Sequence, residues 1–282
     1  MGFIIDGKAE AVKLKQDIRE YVQEKVSSNK RVPVLNAVMV GDDGGSIYYC
    51  NNQRKLCNDL GVQYKLIQLK EQTSEIELIE VIETLNEAKE VDGIILQLPL
   101  PKHINEKLVT SKISPLKDVD GLTDINMGKF YKGEHCFVPC TPQSIIHLIK
   151  STGYNLEGSN AVVIGRSNIV GKPVAQLLLK ENATVTICHS KSKNLKDICN
   201  KADVLVCALG KPKFINEEYI KDGAIVIDVG TSMAEGKITG DVDFEKVIAK
   251  KCFITPVPGG VGAMTTTILI KNTCEAMDNN VY

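Results

Sequence analysis

Four stretches of this 282-residue sequence combine residue types and spacings that chemistry can use. The first is Val162-Val163-Ile164-Gly165-Arg166-Ser167-Asn168-Ile169-Val170-Gly171-Lys172-Pro173. A hydrophobic strand runs into a glycine-containing turn and then a helix start, so backbone N–H groups and the positive end of the helix would face an anion. Only Gly165 and Gly171 are present, a departure from G-x-G-x-x-G, and a tight turn without a ligand fits the same pattern. The next strand, Val185-Thr186-Ile187, ends in Cys188-His189-Ser190-Lys191, with no acid where an NAD site usually places one for the ribose hydroxyl. Arg166 and Ser190 instead suit a ribose 2′-phosphate, since a guanidinium meets phosphate oxygens bidentately. NADP is therefore favoured over NAD; the plainer alternative is a solvated Arg166.

The second stretch, Pro256-Val257-Pro258-Gly259-Gly260-Val261-Gly262, precedes a helix near Ala263 to Thr265, and serves equally as a close approach to a flat or anionic ligand or as a hinge. In the third, Asp118-Val119-Asp120-Gly121 is an acidic substrate anchor or a metal site; two carboxylates without a companion His or third acid argue against the metal. The fourth, Gln97-Leu98-Pro99-Leu100-Pro101, puts an amide at the C-terminal edge of a strand, where open α/β sheets bind ligands, although a loop hydrogen bond explains it as well. Ser46, Tyr49 and Gln53 share one helix face, as a site wall or a packed stripe.

Alternating elements must carry these groups. Ala9 to Val26 has helical periodicity, followed by a strand at Val34 to Val40, a helix from Ser46 to Leu60 ended by Gly61, and a strand at Gln63 to Leu69. Ser74 with Glu77 opens another helix in capping-box spacing, and Gly93 to Leu96 is a buried strand. This βαβαβ order predicts parallel sheet. After a Pro, Asp and Gly-rich loop at 111 to 140, Thr141-Pro142 starts a second series. Its strands fall at Ala161 to Ile164, Thr184 to Cys188, Val204 to Cys207 and Ala224 to Asp228. Helices near Lys172 to Lys180, Leu195 to Asn200 and Glu217 to Ile220 alternate with them, in the outline of a doubly wound nucleotide-binding unit. A last helix spans roughly Ala263 to Met277.

Composition narrows the function classes. The length suits two modest α/β domains flanking a cleft. A hydrophobic content of 43%, a charged content of 24% and a net charge of -1 leave no surplus for nucleic acid and point to a small-molecule ligand. Nine cysteines without a C-x-x-C pair or a His at ligand spacing read as reduced, buried small hydrophobes of a cytoplasmic protein. The amino terminus has too short an apolar run for a signal peptide, and Asp6 stands where a myristoylation signal wants Ser or Thr. The longest apolar stretches fall far below the ~18 residues that span a bilayer.

Taken in order, Ile4-Ile5-Asp6-Gly7-Lys8, Tyr49 after Val40-Gly41, Gln97-Leu98-Pro99-Leu100-Pro101, Lys117-Asp118-Val119-Asp120-Gly121, Pro139-Cys140-Thr141-Pro142, Gly165-Arg166-Ser167 and Pro258-Gly259-Gly260-Val261-Gly262 resemble the methylenetetrahydrofolate dehydrogenase/cyclohydrolase family over nearly the whole chain. The resemblance implies a folate-binding catalytic domain at 1–140, joined by the C-terminal helix 263–282, and a Rossmann-like NADP-binding domain at 141–262. It also implies a homodimer. Tyr49, Gln53, Gln97 and Asp120 would form the catalytic group, with Asp120 holding the amino and ring N–H groups of the pterin. Ser46, Leu98, Pro99, Pro258, Gly259, Gly260 and Thr265 would complete the folate site. Thr141, Gly165, Arg166, Ser167, Ile169, Val170, Ser190, Gly230 and Thr231 would meet NADP.

The sequence departs from the family pattern four residues after the tyrosine. The pattern is Tyr-x-x-x-Lys, and this chain reads Tyr49-Cys50-Asn51-Asn52-Gln53. Lys55 is no substitute, because two residues rotate a side chain by ~200° around a helix, and Arg54 is no base at neutral pH. Hydride transfer mainly needs two rings held face to face, whereas hydrolysis of the methenyl cation needs proton transfers that glutamine cannot supply, a deficit of ~10²- to 10⁴-fold. The expectation is an NADP-dependent dehydrogenase with weak or absent cyclohydrolase, its product passing to a separate cyclohydrolase. The alternatives are a fully bifunctional enzyme with another proton relay, an inactive folate- or NADP-binding protein, and a hydroxy-acid oxidoreductase. Gly44-Gly45 in place of Pro-Ala, and Ala263 in place of Pro, affect loop shape only.

Overall fold

The computed structural model describes residues 2–234 and 237–279. It divides into two compact α/β units, one comprising the chain up to Val12 with Thr141–Thr265, the other Lys13–Cys140 with the chain from Thr266 onward.

In the second of these, three parallel strands lie in the order Gln63–Leu69, Val34–Val40, Gly93–Leu96. All seven residues of the central strand are buried, which is why six of them are apolar without alternation, Asn36 being the exception. Val38 and Val40 pack with Leu78, Ile82 and Leu85 of helix Glu75–Glu87, while Ala37 and Met39 meet Cys50 of helix Gly44–Leu60 on the other face. Both helices have defined ends. Asp43 accepts a hydrogen bond from the Ser46 N–H at 2.8 Å, the helix stops at Gly61, and Ser74 and Glu77 form the reciprocal capping box that their spacing predicts.

The segment 111–140, expected to be loop, contains helix Asp124–Lys132, capped by the Thr123 hydroxyl. Its buried residues are Asn126 and Phe130, so half of the inward face is polar and no 3.6-residue apolar period marks it.

The other unit holds a six-stranded, all-parallel sheet in the order Phe3–Ile4, Phe253–Ile254, Ile225–Asp228, Val204–Cys207, Asn160–Ile164, Thr184–Cys188. From Asn160–Ile164 the chain first adds a strand on one side and then proceeds on the other. The C-terminal end of that strand, where Gly165 sits, is the topological switch point of a Rossmann-like sheet. The amino terminus belongs here, although the sequence reading grouped residues 1–12 with the first domain. Phe3 and Ile4 pair with Phe253 and Ile254, and the Phe3 and Phe253 rings stack at 5.2 Å. Two-residue strands carry no period that sequence reading can detect. The expected helix at Glu217 to Ile220 is a single 3₁₀ turn, Glu217–Tyr219. Among the described residues no helix is long and apolar enough to cross a membrane.

Candidate active site

Helix Gly44–Leu60 presents Ser46, Tyr49 and Gln53 in two environments. Tyr49 is 41% exposed, a large apolar ring left open to solvent. Ser46 and Gln53 are buried. The Ser46 hydroxyl, with one proton to donate, lies between Asp43 at 3.1 Å and the Leu98 carbonyl at 3.2 Å, at the junction of the helix start and the loop that follows strand Gly93–Leu96. Gln97, also buried, donates from Nε2 to Gln53 Oε1 at 3.3 Å. The Tyr64 hydroxyl donates to the same oxygen at 3.2 Å. The face that spacing alone left as wall or stripe thus joins Gln53, Gln97 and the Leu98-Pro99 turn, whose peptide bond is cis.

The two aspartates of Asp118-Val119-Asp120 separate into different roles. Asp118 is buried and accepts from the N–H groups of Leu122 and Thr123 and from the Asn126 amide, holding its own turn together. Asp120 is half-buried. Burial pushes its carboxyl up to about 6, opposed by the Cys140 thiol and backbone N–H and reinforced by the charge of Asp118. The Cys140 N–H donates to Asp120 Oδ1 at 3.3 Å. Asn272 of the last helix donates to the Val119 carbonyl at 2.8 Å and approaches Cys140 Sγ at 3.5 Å. Asp120 is therefore a carboxylate held by Cys140, which Asn272 supports in turn, with acceptor capacity left over. Lys117 of the same motif donates to the Leu85 and Ala88 carbonyls, satisfying the C-terminal end of helix Glu75–Glu87.

In the Rossmann-like unit the candidate cofactor residues gather at the C-terminal edge of the sheet. Gly165, at φ +137°, packs against the Ala208 carbonyl, and Gly171 packs against the Gly165 carbonyl, so a Cβ at either would collide with backbone. Such a turn closes on itself at the start of helix Gly171–Lys180, where the Gly171 N–H donates to the Ser167 hydroxyl at 3.4 Å and the Lys172 N–H to the Ser167 carbonyl at 3.1 Å. The Ser167 hydroxyl accepts from the Val170 N–H at 3.2 Å. Arg166, Ser167, Ile169 and Ser190 are exposed. Gly230 and Thr231 follow strand Ile225–Asp228, where the buried Asp228 carboxylate accepts from the N–H groups of Gly230, Asp241 and Val242, each at 2.9 Å. Asp241 in turn accepts from Leu209, Gly210 and Lys211. These two acids tie the loops of adjacent strands into one rim, which the sequence reading missed. Pro258 to Gly260 lead into helix Val261–Asn279 through a cis Val257–Pro258 bond, and Thr265 and Ser144 share a hydrogen bond at 3.3 Å. Thr141 lies in the first turn of helix Cys140–Ser151.

Tyr64, Cys140 and Asn272 are the neighbours that sequence reading did not find. Tyr64 belongs to a strand whose apolar content already accounted for it, and Cys140 and Asn272, 132 positions apart, meet only because both reach the Val119 carbonyl.

Comparison with known proteins places this arrangement. Residues 5–120 match the tetrahydrofolate dehydrogenase/cyclohydrolase catalytic-domain model, and residues 139–281 match the NAD(P)-binding-domain model of the same family. The chain is 60% identical over 277 residues to the bifunctional protein FolD of Clostridium acetobutylicum, covering 98% of this chain and 100% of that protein. Its fold is similar to the bifunctional FolD methylenetetrahydrofolate dehydrogenase/cyclohydrolase of Campylobacter jejuni, with a TM-score of 0.96, 41% identity and full coverage of both chains. It is also similar to the Trypanosoma brucei methylenetetrahydrofolate dehydrogenase-cyclohydrolase complexed with NADP and an inhibitor, with a TM-score of 0.94, 35% identity, and coverage of 99% of this chain and 98% of that one.

Proposed function

The chain belongs to the tetrahydrofolate dehydrogenase/cyclohydrolase family, and from that premise we propose that it oxidises 5,10-methylenetetrahydrofolate to the 5,10-methenyl form with NADP. The observation that carries this reading is the pairing of Gln53 with Gln97 beside an exposed Tyr49, in a unit that also holds the braced Asp120. Bound NADP would supply the hydride acceptor. The protein holds the two rings in register, and little acid–base chemistry is asked of it in this step. Tyr49 offers a ring face for the folate, and Asp120 accepts hydrogen bonds from the amino and ring N–H groups of the pterin. The cofactor turn fits a dinucleotide because Gly165 and Gly171 allow the close strand-to-helix packing of a phosphate-binding turn, with no room for a Cβ at either position.

Arg166 is assigned to the 2′-phosphate of NADP. Losing a charge-assisted bidentate contact costs about 1.5 to 3 kcal/mol, so Arg166→Ala should raise the KM for NADP by about 10- to 100-fold. The KM for NAD should stay within twofold. Steady-state kinetics with both nucleotides checks this, and an equal loss for the two would remove Arg166 from the phosphate site.

The hydrolytic step divides two observations. The bifunctional name of the similar FolD proteins favours an enzyme that also converts the methenyl product to 10-formyltetrahydrofolate, and this reading now stands ahead of the expectation of a dehydrogenase alone. Gln53 favours the narrower reading, because an amide has no protonation change to contribute to ring opening. In that case the product leaves for a separate cyclohydrolase. The deciding experiment supplies methenyltetrahydrofolate to the purified protein and to Gln53→Lys, following its absorbance against the buffer rate. Wild-type hydrolysis well above buffer establishes the bifunctional reading. Hydrolysis only in Gln53→Lys establishes the narrower one. Absence of NADPH formation from methylenetetrahydrofolate would remove both. We expect a homodimer, which light scattering of the same preparation measures.

A further inference from the structure

The carbonyl oxygen of Gln53 accepts two hydrogen bonds, from the Tyr64 hydroxyl at 3.2 Å and from Gln97 Nε2 at 3.3 Å. A carbonyl oxygen has two lone pairs, so this one is saturated. Gln53 Nε2 donates to no protein atom among the described residues, and it is not sealed in the interior. Tyr64 is itself held firmly. Its strand, Gln63–Leu69, is paired along its whole length with Val34–Val40, its ring packs with Ala37, Met39 and Cys50, and Arg54 lies over the ring at 5.9 Å. Burial and the Cys50 contact keep the hydroxyl protonated, so it remains a donor.

We propose that Tyr64 is a positioning residue that fixes the orientation of the Gln53 amide, so that position 53 offers the folate a neutral N–H donor and never an acceptor. The inference rests on the folate reading given above. A glutamine free to turn over would present its oxygen half of the time and would favour substrate donors and acceptors equally. With the oxygen held by Tyr64 and Gln97, the exposed edge of the amide selects a substrate atom bearing a lone pair. The site thereby keeps a hydrogen-bond donor at this position while giving up the positive charge and the titratable proton.

The test uses full-length protein assayed with methylenetetrahydrofolate and NADP. Tyr64→Phe removes one of the two donors, and the folate KM should rise about 5-fold, the worth of one ordinary hydrogen bond. The kcat and the KM for NADP should stay within twofold. Gln53→Glu keeps an oxygen for Tyr64 and Gln97 but turns a second oxygen toward the substrate, and should raise the folate KM at least about 50-fold. In a Gln53→Ala background Tyr64→Phe should have no further effect on that KM, because the amide it orients is gone. A lowered melting temperature in Tyr64→Phe with an unchanged folate KM, multiplicative effects in the double variant, or a wild-type KM in Gln53→Glu would each overturn the proposal. A wild-type protein that forms no NADPH would sink the folate reading and this proposal with it. An active wild type with multiplicative effects would sink this proposal alone.

Discussion

Asp120→Asn should lower kcat/KM for methylenetetrahydrofolate by about 100- to 1,000-fold and leave the KM for NADP within twofold. The carboxylate is assigned to two N–H donors of the pterin, and charge-assisted hydrogen bonds contribute about 1.5 to 3 kcal/mol each. Asparagine keeps one acceptor but turns an N–H₂ group toward a donor, so one pterin N–H is left unpaired in a half-buried site. The fold should survive, since the Cys140 N–H can still donate to the remaining oxygen. The pH profile gives an independent readout. The carboxyl of Asp120 is raised to about 6 by burial, and only its charged form accepts both bonds. Wild-type kcat/KM for the folate should therefore climb with pH up to about 6 and level off above it. Asp120→Asn should be flat through that window. The same raised value affects stability in the opposite sense. Between the ordinary aspartate range and about 6 the folded state binds more protons than the unfolded one, so this group's contribution falls as pH rises through that interval. A steep profile retained in Asp120→Asn would assign the titration to another group.

Gly171→Ala should raise the KM for NADP by about 100-fold or prevent folding of the Rossmann-like unit, while a surface change such as Lys180→Ala does neither. The added Cβ would meet the Gly165 carbonyl and lie 2.8 Å from the Arg166 N–H, both backbone and neither free to move aside. Overpacking of this kind costs about 1 to 3 kcal/mol, and the relief available is to push the helix away from the strand. That motion displaces the Gly165 to Ser167 turn proposed to meet the dinucleotide, and with it the bonds that Ser167 accepts from Val170, Gly171 and Lys172. Thermal melting monitored by circular dichroism with and without NADP separates the two forms of damage. A variant that melts as the wild type and gains the same stabilisation from NADP would show that the close approach of turn and helix is dispensable. The larger part of the effect should appear in NADP binding, because Asp228 and Asp241 brace the neighbouring loops independently of this turn.

Where sequence reading succeeded, a local rule applied. The Ser74 and Glu77 capping box, the stop at Gly61 and the start near Lys172 each follow from a few adjacent residues. The buried strands Val34–Val40, apart from Asn36, and Val204–Cys207 are apolar because parallel strands are covered on both faces. Where it failed, the deciding partner was remote or the element too short. The Phe3–Ile4 strand exists because Phe253–Ile254 offers it an edge, and helix Asp124–Lys132 buries an asparagine that no periodicity would count as inward.

The candidate site shows the same division. Residue types along the chain determined the family and the presence of Gln53 where its pattern has a lysine, and they carry the proposal of an NADP turn, since each is a matter of which side chain stands at which local spacing. Only the tertiary structure decided that Asp118 supports its own loop while Asp120 keeps acceptor capacity. It alone showed that Asn272 braces the peptide before Asp120 and that Tyr64 and Gln97 converge on one oxygen of Gln53. The physical reason is that donor and acceptor assignments depend on which lone pairs are already occupied. That occupancy is set by groups tens to hundreds of residues away, brought within hydrogen-bond distance by sheet pairing and helix packing.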